Sequence, residues 1–112
     1  MSLQDEDAAV AAISTAPRVT LEDLERKIVG EHYFNMGQAA AELGQPYLPG
    51  TSLDLLTICV LVLSNGFTIT GESACASPEN FNEEMGRKIA RDMAIRKLWG
   101  FEGYLLRERL GA

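Results

Sequence analysis

The sequence predicts an α+β protein with an N-terminal helix or helices, a β-hairpin in a small antiparallel sheet and a long C-terminal helix. Three observations predict this class: a capped helical pattern that begins at Thr20, an Asn65-Gly66 pair between two β-rich runs, and an apolar helical stripe after Pro78. A chain of 112 residues is large enough for one modest core. We therefore predict a single domain over residues 18–112.

The N-terminal residues 1–17 are acidic and alanine-rich and contain little that a core would bury. They predict a flexible arm, part of which could fold on a partner. The first organised helix follows, with Thr20 as its N-cap and Asp23 three residues later in a capping box. Residues 31–43 either continue this helix or form a second short one, and the composition of residues 44–52 is typical of a loop.

The Asn65-Gly66 pair predicts a tight hairpin, because a type I′ turn needs positive φ at both central positions. In that register Cys59 lies opposite Glu72. One face of the hairpin then forms the core, with the side chains Ile58, Val60, Val62, Phe67 and Ile69.

The opposite face of the predicted hairpin carries Cys59, Leu61 and Leu63, which a solvated face would not normally hold. Since two strands alone are marginally stable in water, this face needs a cover. We predict that a second copy of the chain covers it, which makes these three residues interface residues of a homo-oligomer. Burial by the chain's own helices is the alternative.

The C-terminal helix is predicted to begin at Ser77 and Pro78, an N-cap followed by a first-turn proline. Its apolar stripe consists of Phe81, Met85, Ile89 and Met93. Its polar face offers acid-first ion pairs at i,i+4, namely Glu83/Arg87, Glu84/Lys88 and Asp92/Arg96.

The net charge of −6 is unevenly distributed, because residues 28–86 hold seven acids and no Lys or Arg, while seven of the ten cations lie in residues 87–109. A chain without cations along its middle does not suit nucleic acid, and this also disfavours reading residues 37–46 as the start of a DNA-binding helix-turn-helix. We predict that Arg87, Lys88 and Arg91 bind a small anionic, nucleotide-like ligand. The alternative is a solvated helix with its own ion pairs.

Catalytic and metal-binding patterns are weak in this sequence. The run Gly71-x-Ser73-x-Cys75 lacks the second glycine of a nucleophile elbow, and His32 is the one histidine that could act as its base. His32, Cys59 and Cys75 do not have the spacing of metal ligands. We predict no catalytic residues, no metal and no cofactor, and therefore not an enzyme.

The sequence shows neither a secretory signal pattern nor an apolar run long enough to span a membrane, which predicts a cytoplasmic protein without a membrane partner.

Two stretches, VTLEDLERKIVGEHYF and residues 55–110 with the segments SPENF, GRKIAR and GYLLRERL, together resemble the family of short tailed-phage and prophage proteins typified by phages N4 and Sf6. No activity is assigned to this family, so the resemblance carries over no site residue. It implies a phage-encoded accessory protein in the host bacterial cytoplasm that binds a host factor or a small anionic ligand. A structural or assembly role in the phage is the alternative.

Overall fold

The computed structural model describes residues 2–111 and confirms the α+β class. Its elements, in chain order, are α1 (Leu3–Ile13), α2 (Leu21–Lys27), β1 (Ile28–Asn35), α3 (Met36–Glu42), β2 (Leu56–Leu63), β3 (Thr68–Ala74) and α4 (Glu83–Arg109). The three strands form one antiparallel sheet in the order β1-β2-β3, and α4 lies across one of its faces.

The N-terminal residues, expected to form a flexible arm, include helix α1. Ser2 caps this helix by accepting a hydrogen bond from the Asp5 N–H at 3.0 Å. Leu3 is buried in the core, and the Asp7 carboxylate accepts a hydrogen bond from Arg18 at 2.7 Å. The buried side chain of Leu3 and the ion pair of Asp7 therefore hold α1 against the domain.

Strand β1 corrects the prediction that residues 31–43 are wholly helical. Helix α2 has the predicted Thr20–Asp23 capping box but ends at Lys27, and the chain then enters a strand that pairs with β2. Ile28, Val29, Tyr33 and Phe34 are β-branched or aromatic and suit a pleated surface, although the spacing of the preceding leucines is helical. Pairing with β2, a tertiary contact, overrides the helical periodicity. Only the second half of the segment, from Met36, is helical.

The hairpin between β2 and β3 exists, but its register differs from the predicted one by one residue. Cys59 lies opposite Gly71 and not Glu72. The loop contains three residues, since the Leu63 N–H donates to the Phe67 carbonyl at 2.8 Å and Gly66 alone has a positive φ, of 89°. The Asn65 side chain accepts from the Phe67 N–H at 2.9 Å, which stabilises this longer loop over the type I′ turn.

The shift by one residue puts the opposite face of β2 on the same side of the sheet as Ile69 of β3, because successive side chains of a strand point to opposite sides. Ile69 is buried as predicted, whereas Phe67 is 56% exposed. Cys59, Leu61 and Leu63 are buried in the core beneath α4, so they are not available to a second copy of the chain. The prediction that they form an intermolecular interface is wrong, and the alternative, burial by the chain's own helix, is what the structure shows. Ile58, Val60 and Val62 are half-buried on the open face of the sheet.

Helix α4 begins later than predicted. Pro78–Asn80 form a separate 3-10 turn, and the N-cap of α4 is Asn82, whose side chain accepts from the Met85 N–H at 3.0 Å. The side chains that α4 buries against the rest of the domain are Ala90, Ala94, Ile95, Leu98 and Glu102, together with Gly86. The predicted stripe is therefore displaced around the helix, and Met85, Ile89 and Met93 are about half exposed.

Candidate functional site

A concavity lined by four cationic side chains lies between α2 and the C-terminal half of α4, and we call it the α2–α4 cleft. Its volume is about 510 Å³, which lies within the usual range for small-molecule sites. The residues that line it are Arg18, Val19, Asp23, Arg26, Lys27, Ser64, Glu102, Leu106 and Arg109.

One wall of the cleft is built by the start and end of α2. The Thr20 N–H donates to the Asp23 carboxylate at 2.9 Å, and the Asp23 N–H donates to the Thr20 hydroxyl at 3.0 Å. The backbone hydrogen bond from Thr20, the Thr20 hydroxyl and Arg26 together lower the pKa of Asp23. At the other end of α2, the Lys27 carbonyl accepts from the Ser64 N–H at 2.8 Å, which joins this wall to the hairpin.

The opposite wall is α4, and two contacts fix its distance from α2. The Trp99 indole N–H donates to the Val19 carbonyl at 2.9 Å. The Lys27 ammonium lies 3.0 Å from the carboxylate of Glu102, a side chain that is 11% exposed. One neutral hydrogen bond and one ion pair thus fix the distance between the two walls of the cleft, which are about 80 residues apart in the chain.

The lining of the cleft is cationic, with four positive side chains and two carboxylates, which gives a balance of +2 in a chain of net charge −6. Arg18 is paired with Asp7, Arg26 with Asp23 and Glu22, and Lys27 with Glu102. Arg109 forms no ion pair with any residue in the range 2–111. Guanidinium and ammonium groups around one concavity suit a carboxylate or phosphate ligand.

The predicted ligand-binding residues Arg87, Lys88 and Arg91 lie on α4 outside this cleft. Lys88 pairs with Asp92 at 3.2 Å. Arg91 donates to Glu25 at 2.8 and 3.0 Å and to Glu31 at 2.7 Å. A ligand at these side chains stays a prediction, and carboxylates already face them.

The Arg91 network also perturbs the groups around it. The hydrogen bond to Glu25 raises the pKa of Arg91, with a further contribution from Glu31. Burial alone would raise the pKa of Glu31, but hydrogen bonds from Arg91 and Tyr33 outweigh it and lower this pKa. Burial and the hydrogen bond to Glu31 raise the pKa of Tyr33. These shifts indicate a structural network that joins α4 to α2 and β1.

Arg87 lines a second, smaller cavity of about 160 Å³ between β1, α3 and the start of α4. It pairs with Glu83 at 2.8 Å, and its guanidinium carbon lies 5.7 Å from the centre of the Tyr33 ring. The Thr57 hydroxyl, buried on the wall of this cavity, has no hydrogen-bond partner within the described residues. The cavity is smaller than the usual range for ligand sites, so it suits one small polar group at most.

The residues considered for catalysis do not assemble. Ser73 lies opposite Thr57 on the face of the sheet that α4 covers, whereas His32 lies opposite Val60 on the other face. Cys59 is buried, and burial raises the pKa of its thiol. Across residues 2–111 no group of three His, Cys, Asp or Glu side chains is arranged to hold a metal ion.

The α2–α4 cleft could not be predicted from sequence patterns, because its two walls are far apart in the chain. The signals were present in the sequence, as the Arg26-Lys27 pair and the arginine at position 109, but each is unremarkable alone. Strands β1 and β2 bring them together, and β1 was the element that the helical periodicity concealed.

The fold and cleft define a small α+β protein in which one long helix covers one face of a three-stranded antiparallel sheet. The chain belongs to the phage protein (N4 Gp49/phage Sf6 gene 66) family, whose profile matches residues 19–110. A search of curated proteins and a search of solved structures each find no match. No helix within the described part of the chain combines the length and apolar character needed to cross a membrane.

Proposed function

We propose that this phage protein is a non-catalytic accessory protein of the host cytoplasm that binds a small anionic, nucleotide-like ligand in the α2–α4 cleft. The observation that carries the proposal is an excess of positive charge in an acidic chain: four cationic side chains and two carboxylates line a cleft of about 510 Å³. Of the four cations, Arg109 forms no ion pair within residues 2–111. Membership of a phage family supports action inside an infected bacterium.

The lining of the cleft combines charged and apolar side chains. Lys27 forms an ion pair with the largely buried Glu102, and Val19 and Leu106 supply apolar contact surface. Arg26 and Arg109 are exposed side chains of the lining, and a guanidinium group can donate two parallel hydrogen bonds to a phosphate. Apolar and cationic side chains in one cleft fit a ligand that has a flat organic part and a phosphate.

The binding of such a ligand can be tested by calorimetry with ATP and with inorganic pyrophosphate as probes. We expect both to bind, and the double variant Arg26→Gln, Arg109→Gln to lose at least about tenfold in affinity, since a hydrogen bond to a charged group is worth about 1.5–3 kcal/mol. Both side chains are exposed, so the variant is expected to remain folded.

The matched control also removes two positive charges, but at positions outside the cleft. The double variant Arg87→Gln, Lys88→Gln changes two cations that the sequence pattern predicts as ligand-binding residues and that lie outside the α2–α4 cleft. We expect it to bind both probes like the wild-type protein. If neither probe binds the wild-type protein, or if the two double variants lose affinity equally, the cleft is not the ligand site.

A further inference from the structure

Strand β3 and the part of α4 above it form a surface that the proposed ligand site does not use. We call this surface the β3 flank and define it by the outer edge of β3 together with Met85, Ile89, Met93 and Phe101 of α4. These four side chains are 53%, 44%, 40% and 53% exposed, respectively. The flank therefore combines an unpaired strand edge with an exposed apolar row.

Three contacts place the apolar row beside β3. Met85 and Ile89 line a small cavity together with Ser73 of β3. The Lys97 ammonium lies 3.5 Å from the Glu72 carboxylate, and the Phe101 ring packs edge-on against Phe67 with a centroid distance of 6.2 Å. The row thus follows β3 from its C-terminal end to the hairpin.

The two edges of the sheet differ in how they are protected. The β1 edge has an irregular register between Ile28 and Gly30, and Arg91 of α4 forms ion pairs beside it with Glu25 and Glu31. Bulges and charges are the usual means of preventing edge-to-edge pairing. Strand β3 contains no Pro, Lys or Arg and pairs in regular register with β2. The ion pair beside its edge, between Glu72 and Lys97, can exchange partners with that of a second copy.

The hydrogen-bond pattern leaves the β3 edge available for pairing. The Leu63 N–H donates to the Phe67 carbonyl and the Cys75 N–H donates to the Leu55 carbonyl, so odd-numbered residues of β3 face β2. In an antiparallel ladder the residues between them face the other way. Thr68, Thr70 and Glu72 therefore direct their backbone N–H and C=O groups outward.

We propose that the β3 flank is the interface of a two-fold homodimer, in which the β3 strands of two copies pair antiparallel and continue the sheet across both protomers. An antiparallel strand edge is complementary to itself under a two-fold axis. The same rotation brings the apolar rows of the two α4 helices together. The β3 flank of one copy thus offers the flank of another copy both backbone hydrogen bonds and an apolar surface. This self-complementarity favours a second copy over an unrelated partner.

Charge and area both agree with a second copy. Within the flank, Lys97 and Glu72 balance each other, so two copies with a net charge of −6 each meet at a neutral surface, and the pair can exchange partners across the axis. The flank measures about 25 Å along the helix and about 20 Å across the two layers. That is roughly 500 Å² on each copy and about 1,000 Å² in total, at the lower limit for a biological interface, so the dimer is expected to be weak and concentration-dependent.

Light scattering coupled to size exclusion over a range of concentrations tests this inference. A monomer has a mass of 12.2 kDa, so the dimer is expected at 2 × 12.2 = 24.4 kDa. Thr70→Pro removes an outward N–H of β3 without breaking the ladder to β2. Ile89→Lys places a charge in the apolar row. We expect each variant to shift the mass to that of the monomer, with far-UV circular dichroism showing that it remains folded.

Val29→Lys is the matched control, since Val29 is an apolar residue of β1 with 67% exposure. We expect this variant to remain a dimer. A second readout is hydrogen exchange: the amides of Thr68, Thr70 and Glu72 should become protected as the concentration of wild-type protein rises. A wild-type protein that is a monomer at every concentration overturns the proposal, as does a dimer that both β3-flank variants leave intact. Neither result bears on the α2–α4 cleft.

Discussion

Gly71 of β3 lies directly beneath Ala90 of α4, so close that a Cβ atom at position 71 would overlap the Ala90 carbonyl oxygen. The same atom would lie 2.5 Å from the Ala94 backbone nitrogen. Both obstacles belong to the backbone of a long helix, which cannot move aside as a side chain can. The glycine that resembled part of a nucleophile elbow in the sequence is therefore the point where the helix approaches the sheet.

Gly71→Ala is expected to destabilise the protein by about 3 kcal/mol, at the upper end of the usual cost of overpacking. Gly103→Ala is the control, because a Cβ at that helical position meets nothing within 4 Å. It should stabilise the protein by about 0.5–1 kcal/mol through helix propensity. Urea unfolding measures both variants. Equal effects of the same sign would show that α4 does not pack on β3 in this way.

Arg91→Gln is expected to lower the free energy of unfolding by about 1–3 kcal/mol, because it removes hydrogen bonds to two carboxylates and leaves Glu25 and Glu31 without their shared cation. Lys88→Gln is the control, because it also removes one positive charge from α4, one turn before Arg91. The Lys88 side chain is 63% exposed and pairs with Asp92 of the same helix. Its effect should be below about 0.5 kcal/mol. Urea unfolding with both variants distinguishes a structural arginine from a freely solvated one, for which the two losses would be equal.

Acid is expected to destabilise the protein through its hydrogen-bonded carboxylates. The hydrogen bond from Arg18 lowers the pKa of Asp7, and the pKa of Glu31 is lowered by its bonds to Arg91 and Tyr33 against the effect of burial. A carboxylate with a lowered folded-state pKa stabilises the protein above its unfolded pKa of about 4, and this stabilisation is lost as the pH falls through the folded-state value.

Urea unfolding at pH 7, 4.5 and 3 measures this dependence. We expect little change between pH 7 and 4.5 and a marked loss at pH 3. Asp7→Asn should reduce the difference between pH 7 and pH 3, since it removes one of the titrating groups. If the free energy of unfolding at pH 3 equals that at pH 7, the ion pairs of Asp7 and Glu31 do not stabilise the folded protein.

The sequence itself determined the local features whose causes lie within a few residues. The Thr20–Asp23 capping box depends on a hydroxyl and a carboxylate three positions apart, and it forms as expected. The Asn65-Gly66 pair marks the correct hairpin, because glycine supplies the positive φ that the loop needs. The family resemblance, which also rests on local motifs, is confirmed over residues 19–110.

Only the tertiary structure decided which face of the hairpin is buried, which segment becomes the third strand and where the cations gather. The loop is one residue longer than predicted, so the other face of β2 joins Ile69 in the core. That loop is stabilised by the hydrogen bond that the Asn65 side chain accepts from the Phe67 N–H, which composition does not reveal. Ile28–Asn35 becomes a strand because β2 offers it a partner. The α2–α4 cleft exists because packing joins residues 18–27 to residues 102–109, and no periodicity along the chain reports contacts over that separation.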